Sequence, residues 1–146
     1  MGIGSLVSPS VCHPAESFTR LLDGDTSFGD AFHADAELRA RLLSRAGSRE
    51  IRDARCLSIG SLKLQEGLLP ALRAQGIGLV DMECAAVFAA ARRTGRQAAA
   101  LLYAEDIIGE KPFHAPLSAE DRAAMDRAVE DASGILCELF RKKPRA

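Results

Sequence analysis

The stretch from residue 78 to residue 105 constrains the fold of this chain more than any other part of its sequence. Residues 78–82 have the pattern of a short strand, residues 83–93 that of a helix built almost wholly of Ala, Val, Phe and Cys, and residues 97–104 that of an apolar strand. A helix that is apolar on nearly every side is typical of a buried one. A strand, a buried helix and a second strand joined by tight loops form a βαβ unit, which predicts an α/β fold with residues 97–104 as a central strand.

Turn and capping signals divide the rest of the chain. Residues 2–8 form a short β-like run, and residues 9–33, rich in Ser, Gly, Asp and Pro, are expected to form a long loop with a turn of helix within residues 16–22. Helices are predicted over residues 35–46, capped by Asp35, over residues 65–74, and from Ser118 to about Phe140, with a strand at residues 56–59. These elements predict a three-layer α/β/α sandwich with a mixed sheet of about four strands.

The composition excludes several classes of protein. The 146 residues suit one domain, expected to span residues 1–146. Nineteen Lys and Arg against twenty Asp and Glu leave no basic excess for nucleic acid, and no apolar run approaches the ~20 residues of a membrane helix. The cysteines and histidines show no metal-ligand spacing, so we expect no metal, no cofactor and a reducing cytoplasm as the compartment.

Two carboxylates stand out because of their positions relative to the predicted strands. Glu83 lies just beyond the strand at residues 78–82, and Asp106 lies just beyond the strand at residues 97–104. Ligands of α/β sheets bind outside the carboxyl ends of the strands. If these two strands are adjacent, both acids share one edge of the sheet, and Ser61, which follows the preceding strand, is a third candidate there.

The residues around these carboxylates match a known pattern. Val80-Asp81-Met82-Glu83 is followed by two alanines at 85–86, by the apolar run at 99–102 and by Asp106, while residues 34–38 read ADAEL. In order and spacing this resembles the nucleoside phosphorylase superfamily, which includes purine nucleoside and uridine phosphorylases and related nucleosidases. The resemblance implies that the chain corresponds to the C-terminal half of such a domain, a truncated form of the phosphorylase architecture.

The resemblance also implies roles for the candidate residues. Glu83 would accept hydrogen bonds from the 2′- and 3′-hydroxyls of a ribose, Met82 would lie under the sugar, and Asp106 would give a proton to the departing base. Simpler interpretations stand beside these roles. Glu83 is also a favourable charge at a helix N-terminus, Asp106 suits a turn, Met82 suits a core, and Ser61 suits a loop.

Departures from the family pattern leave the function open. Glu105 occupies a position that is usually Ser, Lys63 occupies one that is often Asp, and the family's Gly-rich loops and phosphate-binding Arg have no counterpart here. The leading hypothesis is cleavage of the N-glycosidic bond of a nucleoside, with inorganic phosphate as a possible co-substrate. The alternative is a non-catalytic subunit that binds nucleosides or scaffolds a partner. A truncated sheet exposes an edge, which we expect a second copy or a partner chain to cover.

Overall fold

Seven strands and four helices make up the part of the chain that the computed structural model describes, residues 1–16 and 28–141. The strands are β1 (Leu6–Val7), β2 (Val11–Ala15), β3 (Phe32–His33), β4 (Ile51–Arg52), β5 (Arg55–Ile59), β6 (Ile77–Asp81) and β7 (Leu102–Tyr103). The helices are α1 (Ala36–Leu43), α2 (Gln65–Ala74), α3 (Cys84–Thr94) and α4 (Ala119–Phe140), with one 3-10 turn at Leu62–Leu64.

The strands form two mixed sheets. One has the order β3-β2-β5-β6, with β3 antiparallel to β2 and the other pairs parallel, and the second has the order β4-β1-β7. Along β5 the side chains alternate between faces: Leu57 and Ile59 pack against α2, whereas Cys56 packs against α3. Helices therefore cover both faces of the four-stranded sheet, and the predicted three-layer α/β fold with a mixed sheet is confirmed.

The helices begin where local capping signals placed them. The Asp35 carboxylate accepts the Leu38 N–H at 2.8 Å before α1, and the Ser118 hydroxyl accepts the Asp121 N–H at 3.0 Å before α4. Each of these side chains satisfies a backbone donor that has no partner within its helix. The predicted bounds of α2 are also those observed.

The prediction of a long loop at residues 9–33 is wrong at both ends. β2 lies between β3 and β5 in the four-stranded sheet, and β3 is its short antiparallel neighbour. Pro14 argues against a central strand because it has no N–H to donate. Here only Val11 and Cys12 pair with β3, so Pro14 lies past the end of that ladder. The turn of helix expected within residues 16–22 falls almost entirely outside the described residues.

The two outer strands of the predicted βαβ unit are not neighbours. Only Leu102 and Tyr103 of the segment at residues 97–104 form a strand, and they pair with β1 in the three-stranded sheet. The Ala98 carbonyl instead accepts the Asp35 N–H at 2.7 Å, so the beginning of the segment is tied to the start of α1. The strand at residues 2–8 is likewise limited to Leu6–Val7. The prediction that residues 97–104 form a central strand beside β6 is wrong.

Helix α3 is buried on one face rather than on nearly every side. Cys84, Ala85 and Phe88 are buried against β2, β3 and β5, whereas Val87 is 52% exposed. The alanine-rich sequence suggested burial all round, but Ala is also the strongest helix former and is tolerated on exposed faces. The sequence therefore predicted the helix correctly and its surroundings incorrectly.

Helix α4 covers the three-stranded sheet. Its residues Ala128, Ile135 and Leu139 are buried together with Leu6 of β1 and Leu42 of α1. These α4 positions recur at helical spacing. Across the described ranges, no helix combines the length and the apolar character needed to cross a bilayer.

Candidate functional site

The junction between β6 and α3 is positioned by a shift in strand register. Arg55 of β5 lies opposite Ile77, but the next residue, Cys56, lies opposite Leu79, so Gly78 is an extra residue in β6. Such a bulge reverses which face each following side chain takes. As a result Ser58 lies opposite Asp81, directly before the start of α3.

Asp81 fastens the start of α3 to the sheet. Its Oδ2 accepts the Cys84 N–H at 2.7 Å and the Glu83 N–H at 3.3 Å, while its Oδ1 accepts the Ser58 hydroxyl at 2.5 Å. The same Ser58 oxygen accepts the Ala85 N–H at 2.9 Å. Asp81 and Ser58 together therefore satisfy three of the backbone donors at the start of α3 that have no partner within the helix. Glu83 occupies the N-cap position without a side-chain capping bond, so its carboxylate is not used to start the helix.

An open cavity of about 780 Å³ brings three of the four predicted site residues together. Met82 and Glu83 line it from the β6–α3 junction, and Asp106 lines it from the segment after β7. Ser61 is not among the lining residues; it precedes the 3-10 turn. The two acids share the cavity although their strands belong to different sheets, because the edges of β6 and β7 both border it.

Asp106 is held by a residue that the sequence analysis missed. The side-chain amide of Gln65, the first residue of α2, donates to Asp106 Oδ2 at 2.8 Å. Gln65 is only 2% exposed and lines the same cavity. A signal was present in the sequence: Gln65, Leu68 and Leu72 share one helical face at i, i+3 and i+7, so a polar residue falls on an otherwise apolar stripe.

A comparison with sequence models of protein families identifies the superfamily of this chain. The sequence model of the Phosphorylase superfamily matches residues 20–141. The chain belongs to this superfamily. A search of curated proteins found no relative of significant similarity.

Solved structures show the same fold as this phosphorylase-superfamily chain. The 5′-methylthioadenosine/S-adenosyl homocysteine nucleosidase of Campylobacter jejuni has a TM-score of 0.71 at 17% identity, over 95% of this chain and 62% of that one. The uridine phosphorylase of Vibrio fischeri has a TM-score of 0.68 at 19% identity, over 94% of this chain and 58% of that one. The chain thus spans about three fifths of the length of these structures.

Acidic groups dominate the charged side chains around the cavity of this superfamily member. Within the described residues, the lining includes five carboxylates and one guanidinium, namely Asp81, Glu83, Glu105, Asp106, Glu110 and Arg73. A hydrogen bond to Glu105, together with partial burial, raises the pKa of the Tyr103 phenol. No role was predicted for Tyr103, although it is the aromatic residue nearest to Asp106 in the chain.

Three buried cysteines lie behind the β6–α3 junction. Cys12, Cys56 and Cys84, the thiol cluster, are free, and the Cys56 thiol donates to Asp81 Oδ1 at 3.4 Å. A hydrogen bond to Cys56 raises the pKa of Cys12, and a hydrogen bond to Cys12 with burial raises the pKa of Cys84. The cluster is therefore protonated at neutral pH and serves packing rather than nucleophilic chemistry. Among the described residues, no group of His, Cys, Asp and Glu is arranged to hold a metal ion.

Proposed function

We propose that this chain binds a nucleoside in the cavity and takes part in cleaving its N-glycosidic bond. The observation that carries the proposal is the shared cavity, in which Met82 and Glu83 face the same space as Asp106. Glu83 would accept hydrogen bonds from the ribose 2′- and 3′-hydroxyls, and Met82 would lie under the sugar. Asp106 would give a proton to the leaving base. The nucleosidase and phosphorylase activities named for the matching structures support this reaction class.

The geometry of the junction supports the role of Glu83. Because Asp81 caps α3, the Glu83 carboxylate is free of capping, while its backbone is fixed by the Asp81 bond. A carboxylate that accepts hydrogen bonds from two hydroxyls holds the sugar in one orientation, and this lowers the entropic cost of reaction. The negative charge of Glu83 also stabilises the positive charge that develops on the ribose as the bond breaks.

We propose water as the nucleophile, on the basis of the charges that line the cavity. Five carboxylates and one guanidinium give the lining a negative balance, which repels an inorganic phosphate dianion. We therefore propose hydrolysis by the chain alone, and phosphorolysis only where a partner chain supplies cations for phosphate.

The second candidate is a non-catalytic subunit that binds nucleosides or scaffolds a partner. It is favoured by the strand edges: in the described residues β6 and β7 each end a sheet, and both border the cavity. Unpaired edges are suited to pairing with another chain. We propose that a second copy or a partner chain covers them. Sedimentation velocity of the purified chain tests self-association, and a monomer at all concentrations would exclude it.

Base release separates the two candidates. The purified chain is incubated with a small panel of purine and pyrimidine nucleosides, with and without phosphate, and free base is measured by chromatography. Release without phosphate supports hydrolysis, and release only with phosphate supports phosphorolysis. Saturable nucleoside binding with no release in either condition supports the non-catalytic candidate.

The role of Glu83 is tested by Glu83→Gln, with Glu66→Gln as the matched control. Hydrogen bonds to a charged group contribute about 1.5–3 kcal/mol, so Glu83→Gln should weaken nucleoside binding by roughly 10- to 100-fold. Glu66 is an exposed residue of α2 that does not line the cavity, so its variant should bind as the wild type does. Equal affinity of the two variants, measured by calorimetry, would remove Glu83 from the site.

The free state of the thiol cluster supports a proposed compartment. All three of its cysteines are buried without disulfides, and Cys137 is also free. Free thiols persist where glutathione and thioredoxin keep them reduced. We therefore propose the cytoplasm.

A further inference from the structure

Gln65 is an unusual residue to find in the lining of this cavity. It is one of three buried polar residues in the described ranges, with Ser8 and Ser58, and of these three it alone lines the cavity. Burying an amide costs free energy unless its polar atoms are paired. The amide is paired here with Asp106, 41 positions further along the chain.

The direction of this hydrogen bond restricts the Asp106 carboxyl group. The Gln65 Nε2 carries two protons and no free lone pair, so it can only donate. Asp106 Oδ2, 2.8 Å away, must therefore accept. A proton carried by Asp106 is thereby directed to Oδ1, and the carboxyl group is held at Oδ2 by a side chain that is itself buried.

We propose that Gln65 is the positioning residue that makes Asp106 Oδ1 the proton-delivering atom, an inference that rests on the proposed nucleoside cleavage. In that step the C1′–N bond breaks and its electron pair goes to the base nitrogen, which takes the proton from Oδ1. Water adds to C1′, and the proton it loses returns to the carboxylate. Gln65 contacts neither sugar nor base in this scheme and acts through Asp106.

Two substrates with different leaving groups distinguish a positioning role of Gln65 from a purely structural one. A natural base leaves poorly unless it is protonated, whereas a 4-nitrophenyl riboside releases a stable phenolate that needs no proton. Gln65→Met preserves length and approximate volume but removes the donor. Loss of carboxyl alignment should lower kcat on a natural nucleoside by about 10- to 100-fold. KM should stay unchanged on both substrates, and kcat on the nitrophenyl riboside should stay within about twofold.

Leu68→Ala is the matched control, because Leu68 is buried on the same helical face but does not bond to Asp106. Leu68→Ala should lower kcat on the natural nucleoside and kcat on the nitrophenyl riboside by the same factor. If Gln65→Met also lowers both rates in parallel, or lowers neither, the positioning role is overturned while the proposed function stands. If the wild-type chain cleaves neither substrate, the proposed function fails and this inference fails with it.

Discussion

Replacing Asp81 by Ala should damage both the stability of the chain and its site, whereas replacing the remote cap Asp35 should damage stability alone. Asp81 accepts two backbone N–H groups of the first turn of α3 and the hydroxyl of the fully buried Ser58. Loss of a helix cap costs about 1–2 kcal/mol. Loss of a bond to a buried hydroxyl adds about 1 kcal/mol, so the free energy of unfolding should fall by about 2–3 kcal/mol.

Asp35 is the matched control because it lies away from the cavity, caps α1 through one backbone bond, to the Leu38 N–H, and otherwise accepts only an exposed bond from the Gln97 side-chain amide. Its replacement should cost about 1 kcal/mol. Urea unfolding followed by circular dichroism measures both losses, and calorimetry measures nucleoside affinity. Asp81→Ala alone should lower affinity, because it releases the backbone of Glu83. If the two variants lose equal stability and bind equally, Asp81 does not fasten the junction as argued.

Two further predictions concern the backbone and the thiols. Gly4 has φ of +77°, and a Cβ there would lie 2.6 Å from the Ala124 carbonyl oxygen, whereas Gly47 has φ of +62° with open space around it. Gly47→Ala should cost about 1–2 kcal/mol from left-handed strain alone, and Gly4→Ala about 1–3 kcal/mol more from the clash; equal losses in urea unfolding would contradict this. Ellman's reagent should label the exposed Cys137 quickly and the thiol cluster only on unfolding, since its Cys12 and Cys84 have raised pKa values. Rapid labelling that persists in Cys137→Ser would show that the cluster is accessible.

Local signals in the sequence predicted the helices well and the sheets poorly. Asp35 and Ser118 cap helices through bonds to residues three positions away, so a short window of sequence contains the whole interaction. The pairing of β2 with β5 joins residues more than forty positions apart. Pro14 within β2 argues against a central strand when only its neighbours in the sequence are considered. Strand partners are fixed by tertiary packing, which composition does not reveal.

The same distinction holds for the candidate site. The family pattern identified Met82, Glu83 and Asp106, which share the cavity, because short motifs preserve the order of residues around a strand end. The bond of Gln65 to Asp106 and the bond of Ser58 to Asp81 span 41 and 23 positions. No pattern within a single element contains such a bond, so both contacts became visible only when the elements were assembled.

The number of residues in β6, including the one extra residue, determines the side of the sheet to which Met82 and Glu83 point. Without this register shift, regular pairing from Arg55↔Ile77 would set Asp81 opposite Ile59 instead of Ser58, and each later side chain would exchange faces. The direction in which the pair points is therefore encoded by strand length as well as by the identities of the two residues. Deletion of Leu79, or insertion of one residue beside it, would turn the motif Val80-Asp81-Met82-Glu83 to the opposite face of the sheet, so that a chain could keep these four residues and lose the site.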